Sequence, residues 1–191
     1  MRIILASKSP RRKELLGTVT ENFEIITAPT DETLDDGIDT KRGVEILAIR
    51  KGEAVLSKVG DDAIIISSDT LVEIDGIPLG KPEDREEAIR MLKELSGRCH
   101  NVHTGVAVRY KGKTFSGVAT TEVEFRELTD REIEDYVDSG EPYDKAGGYG
   151  IQGEAGKFVK EYRGDIDTVI GLSCKLTRAL IEKAMKEAEE V

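Results

Sequence analysis

The segment Ile3-Ile4-Leu5-Ala6-Ser7-Lys8-Ser9-Pro10-Arg11-Arg12 decides the fold class of this chain. Residues 3–6 form an apolar run that is typical of a buried strand. Ser9 and Pro10 then supply a helix N-cap followed by a proline at the first helical position, so residues 11–16 are predicted to be a short helix that ends at Gly17. A strand, a tight turn and a helix in succession predict an α/β fold.

Outward from this segment, apolar runs alternate with amphipathic stretches along the rest of the chain. Strands are predicted over residues 23–28, 63–66, 102–110, 114–125 and 157–162, and helices over residues 44–59, 84–96, 130–139 and 174–191. Thr129 and Glu132 are spaced for a capping box at the start of the third of these helices. A length of 191 residues with 38% hydrophobic content suits one α/β domain, which a cleft can divide into two lobes.

The charge balance excludes several classes of partner. Asp and Glu outnumber Lys and Arg by 38 to 28, so the molecule repels nucleic-acid polymers and anionic membranes, and any phosphate site must be a concentrated basic cluster. The first apolar run is too short for a signal peptide, and none approaches the roughly 20 residues that span a bilayer. We therefore expect a cytoplasmic protein. Cys99 and Cys174 are far apart and outside any metal or redox motif, so neither a disulfide framework nor a zinc site is indicated.

Polar residues follow two predicted strands, and in open α/β sheets ligands collect beyond the carboxyl ends of strands. In the first cluster, Ser7 to Arg12, backbone N–H groups at a helix N-terminus, two hydroxyls and paired arginines offer donors for phosphate oxygens. A capped surface helix with solvated arginines explains the same residues. The second cluster is Ser67-Ser68-Asp69-Thr70, placed at the end of an Ile-rich strand. Its carboxylate either binds a metal, acts on a substrate, or closes a turn with Thr70.

Other polar residues are ambiguous in isolation. Lys51, Lys81 and Glu32 are equally well explained as solvated side chains. The pattern Gly148-x-Gly150-x-x-Gly153 matches a dinucleotide fingerprint, but it lacks the preceding strand and the following helix that the fingerprint requires. We therefore set nicotinamide binding aside. His100 and His103 lie on one strand without a nearby third ligand and are interpreted as structural histidines.

Five short motifs follow one another along nearly the whole chain. They are Leu5-Ala6-Ser7-Lys8-Ser9-Pro10-Arg11-Arg12, Asp31-Glu32-Thr33, Ser68-Asp69-Thr70, Gly80-Lys81-Pro82 and the loop over residues 143–153. Each motif is weak alone, but the five in this order and spacing resemble the Maf family of nucleotide pyrophosphatases. The loop resembles that of the dTTP/UTP branch, whereas the branch that acts on 7-methyl-GTP carries a different loop.

The resemblance implies both a fold and an activity. The implied fold is Maf/inosine-triphosphatase-like α/β, a single domain over residues 1–191 with a mixed twisted sheet and flanking helices that form two lobes around a central cleft. The implied activity is hydrolysis of dTTP and UTP, and of modified pyrimidine nucleotides, between the α and β phosphates. A divalent cation, Mg²⁺ or Mn²⁺, a house-cleaning role in nucleotide metabolism and a homodimer are implied as well.

The same resemblance implies roles for individual residues. Asp69 is the catalytic carboxylate, and the substrate-specificity positions are Arg11, Thr70 and Gln152. A triphosphate needs several cations and donors around it, so we assign phosphate binding to Ser7, Ser9, Arg11, Arg12, Lys51 and Lys81. Because aspartate is ordinarily a poor base at neutral pH, we assign Asp69 metal coordination together with water orientation, and Glu32 is the second metal ligand.

Gln152 also fits the implied substrate chemically. Its amide presents a donor and an acceptor, which match the O4 acceptor and the N3–H donor shared by uracil and thymine. A second hypothesis stays open: a non-enzymatic nucleotide-binding regulator of cell division, motivated by the association of the family with inhibition of septum formation.

Overall fold

The computed structural model describes residues 1–35 and 37–189, which contain seven strands and six α-helices. The strands are β1 (Ile3–Leu5), β2 (Glu24–Ile25), β3 (Ile64–Ile74), β4 (Ile77–Leu79), β5 (Cys99–Tyr110), β6 (Lys113–Phe125) and β7 (Val159–Arg163). The helices are α1 (Pro10–Gly17), α2 (Thr40–Val59), α3 (Arg85–Leu95), α4 (Asp130–Asp138), α5 (Ile166–Ile170) and α6 (Cys174–Glu189). Three short 3₁₀ helices, Glu141–Asp144, Ala146–Gly148 and Glu154–Phe158, lie between α4 and β7.

The strands form one mixed sheet in the order β2-β1-β3-β5-β6-β7, and β4 pairs with β3. β1 lies between β2 and β3 and is parallel to both, whereas the β3–β4 and β6–β7 pairs are antiparallel. The predicted mixed sheet with flanking helices is therefore confirmed. The hairpin between β5 and β6 turns at Lys111 and Gly112, both with positive φ, as predicted from the short polar link between two alternating strands.

The prediction that β3 ends at Ile66 is wrong. The strand continues through Ser67, Ser68, Asp69 and Thr70 to Ile74, so Asp69 lies inside it and not at its end. The extension pairs with β4 across Asp75 and Gly76, whose φ angles of 53° and 78° are those of a two-residue hairpin turn. The stretch over residues 76–82, expected to be a connection only, thus contains a strand.

Two of the predicted polar residues, Ser7 and Ser67, do lie at the edge of the parallel part of the sheet. Only the first part of β3 pairs with β1, and this parallel pairing ends where Leu5 lies opposite Ile66. The Ala6 N–H donates the last hydrogen bond, 2.8 Å long, to the Ile66 carbonyl. Ser7 follows the end of β1, and Ser67 is the residue of β3 just beyond the parallel pairing. Both therefore lie at the same edge of the parallel ladder.

The chain divides into two compact units. The first comprises Met1–Asp69, Thr104–Ala119 and Gly171–Val191, and the second comprises Thr70–His103 and Thr120–Ile170. In the first unit, alternate residues of β3 enter two apolar clusters: Ile64 and Ile66 pack with Leu180 of α6, and Ile65 packs with Val55 of α2. Both faces of this strand are buried, as its run of isoleucines predicted. The single-domain assignment and the central cleft stay predictions.

The second unit has its own core. Val72 and Val123 of the sheet pack in one cluster with Leu92 of α3, Ile133 of α4 and Phe158 of the third 3₁₀ helix. Thr129 and Glu132 make the predicted capping box at the start of α4. The Arg126 guanidinium and the Thr129 groups hold the pKa of Glu132 at about 2, so its carboxylate stays ionised in this role.

Several element boundaries differ from the predictions. α2 begins at Thr40, with Asp39 as its N-cap, four residues before the predicted start at residue 44. β2 covers two residues of the predicted 23–28, and α5 was not predicted. Residues 190 and 191 of the predicted terminal helix lie outside the described residues. Among the helices that the structure describes, none is long and apolar enough to cross a membrane.

Candidate functional site

The N-terminus of α1 is built from two serines. The Ser9 side chain caps the helix by accepting a hydrogen bond from the Arg12 N–H at 3.4 Å, and the Ser9 N–H donates to Ser7 Oγ at 3.2 Å. Ser7 is buried and Ser9 is half-buried. The predicted cap is confirmed, and it fixes the start of the helical turn that carries Arg11 and Arg12.

Arg12 is held in place by the backbone of Gly171, which is 159 residues away in the sequence. Its Nε donates to the Gly171 carbonyl at 2.9 Å, and Ser68 Oγ donates to the same oxygen at 3.1 Å. Burial lowers the pKa of Arg12, an effect that the nearby carboxylates of Asp69 and Glu32 oppose. Arginine has a pKa far above neutrality, so this guanidinium stays charged and contributes a fixed positive field beside Asp69.

Lys51, Asp69 and Glu32 form the centre of the site in the first unit. The Lys51 ammonium donates a hydrogen bond to Asp69 Oδ1 and lies 2.9 Å from Glu32 Oε1. The Lys51 and Asp69 side chains are 17% and 11% exposed, whereas that of Glu32 is 55% exposed. One cation thus bridges a buried carboxylate and a solvated one, and the cluster opens to solvent on the Glu32 side.

Close packing of α2 on β3 brings Lys51 to Asp69. Ser67 Oγ donates to the Ala48 carbonyl at 2.6 Å, which ties the helix to the strand one turn before Lys51. Gly52 faces the same serine, and a Cβ at this position would lie 2.8 Å from Ser67 Oγ. Glycine in the middle of a helix costs about 1 kcal/mol relative to alanine. Its presence here is explained by the short distance between the helix and the strand.

The loop that carries Glu32 is fixed by the residue next to Lys51. Arg50 Nη1 donates to the carbonyls of Thr33 and Asp31, at 2.5 and 3.4 Å. The Asp31 carboxylate accepts from the Thr33 N–H at 2.9 Å, and this bond lowers its pKa. Sequence reasoning missed Arg50, although its adjacency to Lys51 on a helix that faces the acidic loop is a usable signal.

Three other predicted residues belong to the second unit: Thr70, Lys81 and Gln152. Lys81 and Gln152 are exposed and Thr70 is half-buried. The segments that bear Lys81 and Gln152 are joined at backbone level, because the Gly147 N–H donates to the Gly80 carbonyl at 2.8 Å. Gly147 has a φ of 68° and packs on Val72, whose Cγ2 would lie 2.9 Å from a Cβ there. Only glycine fits this position.

The glycine-rich loop is anchored to the core by an aromatic pair. Tyr149 OH and His100 Nε2 share a hydrogen bond of 2.7 Å, and both rings pack edge-on against Phe125. Burial lowers the pKa of His100 from 6.5 to about 4, so the ring is neutral at pH 7. His100 is a structural histidine, as predicted. The dinucleotide pattern in this loop is followed by a 3₁₀ helix and β7, so the structure confirms that its context is wrong for nicotinamide binding.

His103 is the other histidine of β5 and is also buried. Its Nδ1 lies 2.8 Å from Thr120 Oγ1, and its Nε2 lies 3.6 Å from Glu73 Oε2. Within residues 1–35 and 37–189, no group of three or more His, Cys, Asp or Glu side chains is arranged to hold a metal ion.

Curated relatives resemble this chain over nearly its full length. A protein of Bacillus velezensis named dTTP/UTP pyrophosphatase is 46% identical over 186 residues, which cover 97% of this chain and 98% of the relative. A protein of Thermococcus gammatolerans with the same name is 47% identical over 180 residues, 94% of this chain and 95% of the relative.

Solved structures share the fold at low sequence identity. The Ham1 protein of Staphylococcus aureus is 15% identical, with a TM-score of 0.55 over 96% of this chain and 99% of that one. A HAM1 protein of Coxiella burnetii is 16% identical, with a TM-score of 0.52 over 99% of each chain. A likeness at this level of identity concerns the fold alone, and it agrees with the mixed sheet and flanking helices described above.

The family assignment rests on the sequence itself. A family model described as Maf-like protein matches residues 2–184, a range that includes every residue of the Lys51–Asp69–Glu32 cluster and of the glycine-rich loop. Together with relatives above 40% identity along almost the whole length, this match shows that the chain belongs to the Maf family.

Proposed function

We propose that this protein hydrolyses nucleoside triphosphates, with dTTP and UTP preferred, to the nucleoside monophosphate and pyrophosphate. The observation that carries the proposal is the Lys51–Asp69–Glu32 cluster with the charged Arg12 beside it. The names of the curated relatives supply the substrate class. Since those relatives bear the names of enzymes, the hypothesis of a non-enzymatic regulator gains no support.

In this proposal Asp69 orients the attacking water. The Lys51 ammonium fixes the carboxylate by a hydrogen bond to Oδ1, so the side chain does not have to be ordered during the reaction. Water attacks the α phosphorus, the bond from that phosphorus to the bridging oxygen breaks, and pyrophosphate leaves. The proton lost by the water passes by way of the Asp69 carboxylate to solvent.

Phosphate binding falls to the basic residues and to the start of α1. Arg12 is held by the Gly171 carbonyl and keeps its charge, so it offers a preorganised donor. Arg11 on the same turn, Lys51 and Lys81 are the further cations that we assign to the triphosphate. They offset the repulsion between its negative oxygens and the nucleophile.

A divalent cation fits the carboxylates that are present. Glu32 and Asp69 converge on one ammonium group, and Mg²⁺ in nucleotide enzymes is commonly bound by one or two carboxylates plus substrate phosphates and water. We propose that these two residues hold Mg²⁺ or Mn²⁺, which when bound neutralises charge on the phosphates and acidifies water.

Base selection is assigned to Gln152, Thr70 and Arg11. The exposed amide of Gln152 can donate to O4 and accept from N3–H, the pattern that uracil and thymine share. Cytosine presents the opposite pattern at these atoms, which the amide matches only after a 180° flip, so the proposal predicts that CTP is a poor substrate when the Gln152 amide is held in one orientation. The homodimer implied by the family resemblance and the cytoplasmic location expected from the apolar runs of the sequence remain predictions.

Product analysis in ¹⁸O-labelled water tests the reaction class and the bond cleaved. The protein is incubated with dTTP, UTP, CTP and ATP in the presence of Mg²⁺ or Mn²⁺. We expect dTTP and UTP to give monophosphate and pyrophosphate, with the label in the monophosphate because water attacks the α phosphorus. Orthophosphate as the first product, or label in pyrophosphate, would contradict the proposal.

A further inference from the structure

Beyond the family motifs, Tyr136 and Glu141 hold both sides of the segment that carries Gln152. Tyr136 OH donates to Glu141 Oε1 at 3.2 Å and accepts from the Gly150 N–H at 3.3 Å. Glu141 Oε2 accepts from the Glu154 N–H at 3.2 Å. The two backbone amides that this pair binds lie two residues before and two residues after Gln152.

The loop backbone lies directly on these side chains. A Cβ at Gly153 would overlap the Glu141 carboxylate, and a Cβ at Gly150 would lie 2.6 Å from Lys145 Cε. The Lys145 ammonium in turn donates to the Glu141 carbonyl at 2.7 Å. Glycine at both positions allows the backbone to approach Glu141 and Lys145 this closely. The segment therefore packs against Glu141 as well as forming a hydrogen bond with it.

The Tyr136 hydroxyl keeps one orientation in this arrangement. It can only accept from the Gly150 N–H, and it therefore donates its own proton to Glu141. The ring is 1% exposed, and burial together with the nearby Glu141 charge raises the pKa of Tyr136, so the hydroxyl stays protonated. Gly150 donates to Tyr136 and Tyr136 donates to Glu141, while Glu154 donates to the same carboxylate, so the bonds from both sides of Gln152 converge on Glu141.

We infer that Tyr136 and Glu141 are positioning residues that fix the Gln152 segment and thereby set base selectivity. The inference rests on the proposed function, because Gln152 must contact the base for its position to matter. The position of an exposed side chain depends on how firmly its backbone is held. A segment that is ordered before binding also loses less conformational entropy when the ligand binds. Loosening the segment should weaken recognition of the base and leave the chemistry at Asp69 unaffected.

Conservative variants separate this role from a general structural one. Tyr136→Phe removes the bridging hydroxyl and keeps the ring, and Glu141→Gln replaces one acceptor oxygen by a donor that faces another donor. The matched control is Asp138→Asn at the end of the same helix, whose carboxylate pairs with the exposed Arg85 at 2.8 Å and does not bond the loop. Each variant is assayed with UTP and CTP, and its Kd for both nucleotides is measured by calorimetry.

For both conservative variants we expect the KM and Kd for UTP to rise about 3- to 10-fold, the range that follows from one lost hydrogen bond. The UTP to CTP ratio of kcat/KM should fall by a similar factor, while kcat changes by less than about twofold in the same variants. Glu141→Ala should give a larger effect, and Asp138→Asn none. The Gly150 amide should also exchange its hydrogen faster in Tyr136→Phe.

Two results would overturn the inference. One is a folded Glu141→Gln variant with the KM and base ratio of the wild type. The other is an equal loss of kcat for both nucleotides at an unchanged ratio, which marks a purely structural role. If Tyr136→Phe does not fold, Glu141→Gln decides alone, since its side chain is half-buried at the surface. A wild type that binds UTP without turnover would refute the proposed function only, and the Kd values would still test this inference.

Discussion

Lys51 on α2 donates a hydrogen bond to the carboxylate of Asp69 on β3, and the two side chains are only 17% and 11% exposed. A buried carboxylate without a cation is strongly disfavoured, so the two residues support each other's placement. Because the same ammonium also contacts Glu32, the loss of Lys51 and the loss of Asp69 should have different consequences.

Replacing Asp69 by asparagine tests its role in turnover. Asn keeps the shape and a hydrogen-bonding oxygen but loses the charge that orients water, so we expect turnover to fall by about 100- to 10,000-fold. Nucleotide binding without a divalent cation should change only a few-fold, because Arg11, Arg12, Lys51 and Lys81 remain. Release of monophosphate and calorimetric titration with UTP measure the two effects. The control is Asp61→Asn, because Asp61 is an exposed carboxylate that pairs with Arg109 at 3.3 Å. Turnover at the wild-type rate in Asp69→Asn would show that Asp69 has no part in the mechanism.

Replacing Lys51 by methionine should reduce stability as well as activity. The nearly buried Asp69 carboxylate would lose the ammonium that bonds it and keep only the charge of Arg12 beside it, so we expect a loss of up to about 3 kcal/mol, the order for a broken buried pair. The free energy of unfolding in urea measures this loss. Lys58→Met on the same helix is the matched control, because among the contacts described the exposed Lys58 ammonium bonds only the Thr27 carbonyl. This variant should change the free energy of unfolding by less than about 1 kcal/mol. Equal stabilities for the two variants would show that Asp69 does not depend on Lys51.

Gly52→Ala tests whether helix placement sets the site. The added methyl would lie 2.8 Å from Ser67 Oγ, so either the helix shifts or Ser67 rotates and loses its hydrogen bond to the Ala48 carbonyl. We expect a loss of about 1–3 kcal/mol from overpacking, which exceeds the gain in helix propensity. Turnover should fall because Lys51 is the adjacent residue. Gly17→Ala, with no atom within 4 Å of its Cβ, is the control, and comparable behaviour of the two variants would contradict this account.

Local signals in the sequence predicted much of the fold. The caps at Ser9 and Thr129 and the turn at Lys111 each depend on a few adjacent residues, and each is found as predicted. The end of β3 was misplaced because polar residues were taken to mark a strand end. The strand continues past Asp69 to Val72–Ile74, which pair with β4, and the Asp75-Gly76 dipeptide was the overlooked signal.

The contacts of the site could not be predicted in the same way. Lys51 and Asp69 are 18 residues apart, and only the packing of α2 on β3 brings them together. The family resemblance supplied the names of the residues but not this geometry. Glu141 was missed altogether, because its partners are a tyrosine five residues earlier and an amide 13 residues later, a spacing with no local signature.

The assignment of Glu32 and Asp69 as cation ligands makes a prediction about metal dependence. Chelation by EDTA should abolish turnover, and excess Mg²⁺ or Mn²⁺ should restore it. Glu32→Gln should raise the Mg²⁺ concentration for half-maximal turnover about tenfold or more. Removing even a residue that only hydrogen-bonds a metal ligand lowers metal affinity by about this factor. Asp35→Asn, an exposed carboxylate of the same loop, is the control. An unchanged Mg²⁺ dependence in Glu32→Gln would show that Glu32 is not a ligand.

Burial of His100 makes the stability of the second unit sensitive to acid. Its pKa falls from 6.5 in the unfolded chain to about 4 in the folded protein, chiefly through desolvation. Between these values the unfolded state binds the extra proton, so stability is complete above the unfolded pKa and decreases as the pH falls towards the folded one. From about pH 7.5 to about pH 5 we expect His100 to account for a loss of about 2 kcal/mol. Urea unfolding at both pH values should show this loss in the wild type and a smaller one in His100→Gln, which keeps a polar partner for Tyr149. Parallel pH dependence in the two proteins would mean that acid destabilises this fold through its carboxylates and not through the anchor of the glycine-rich loop.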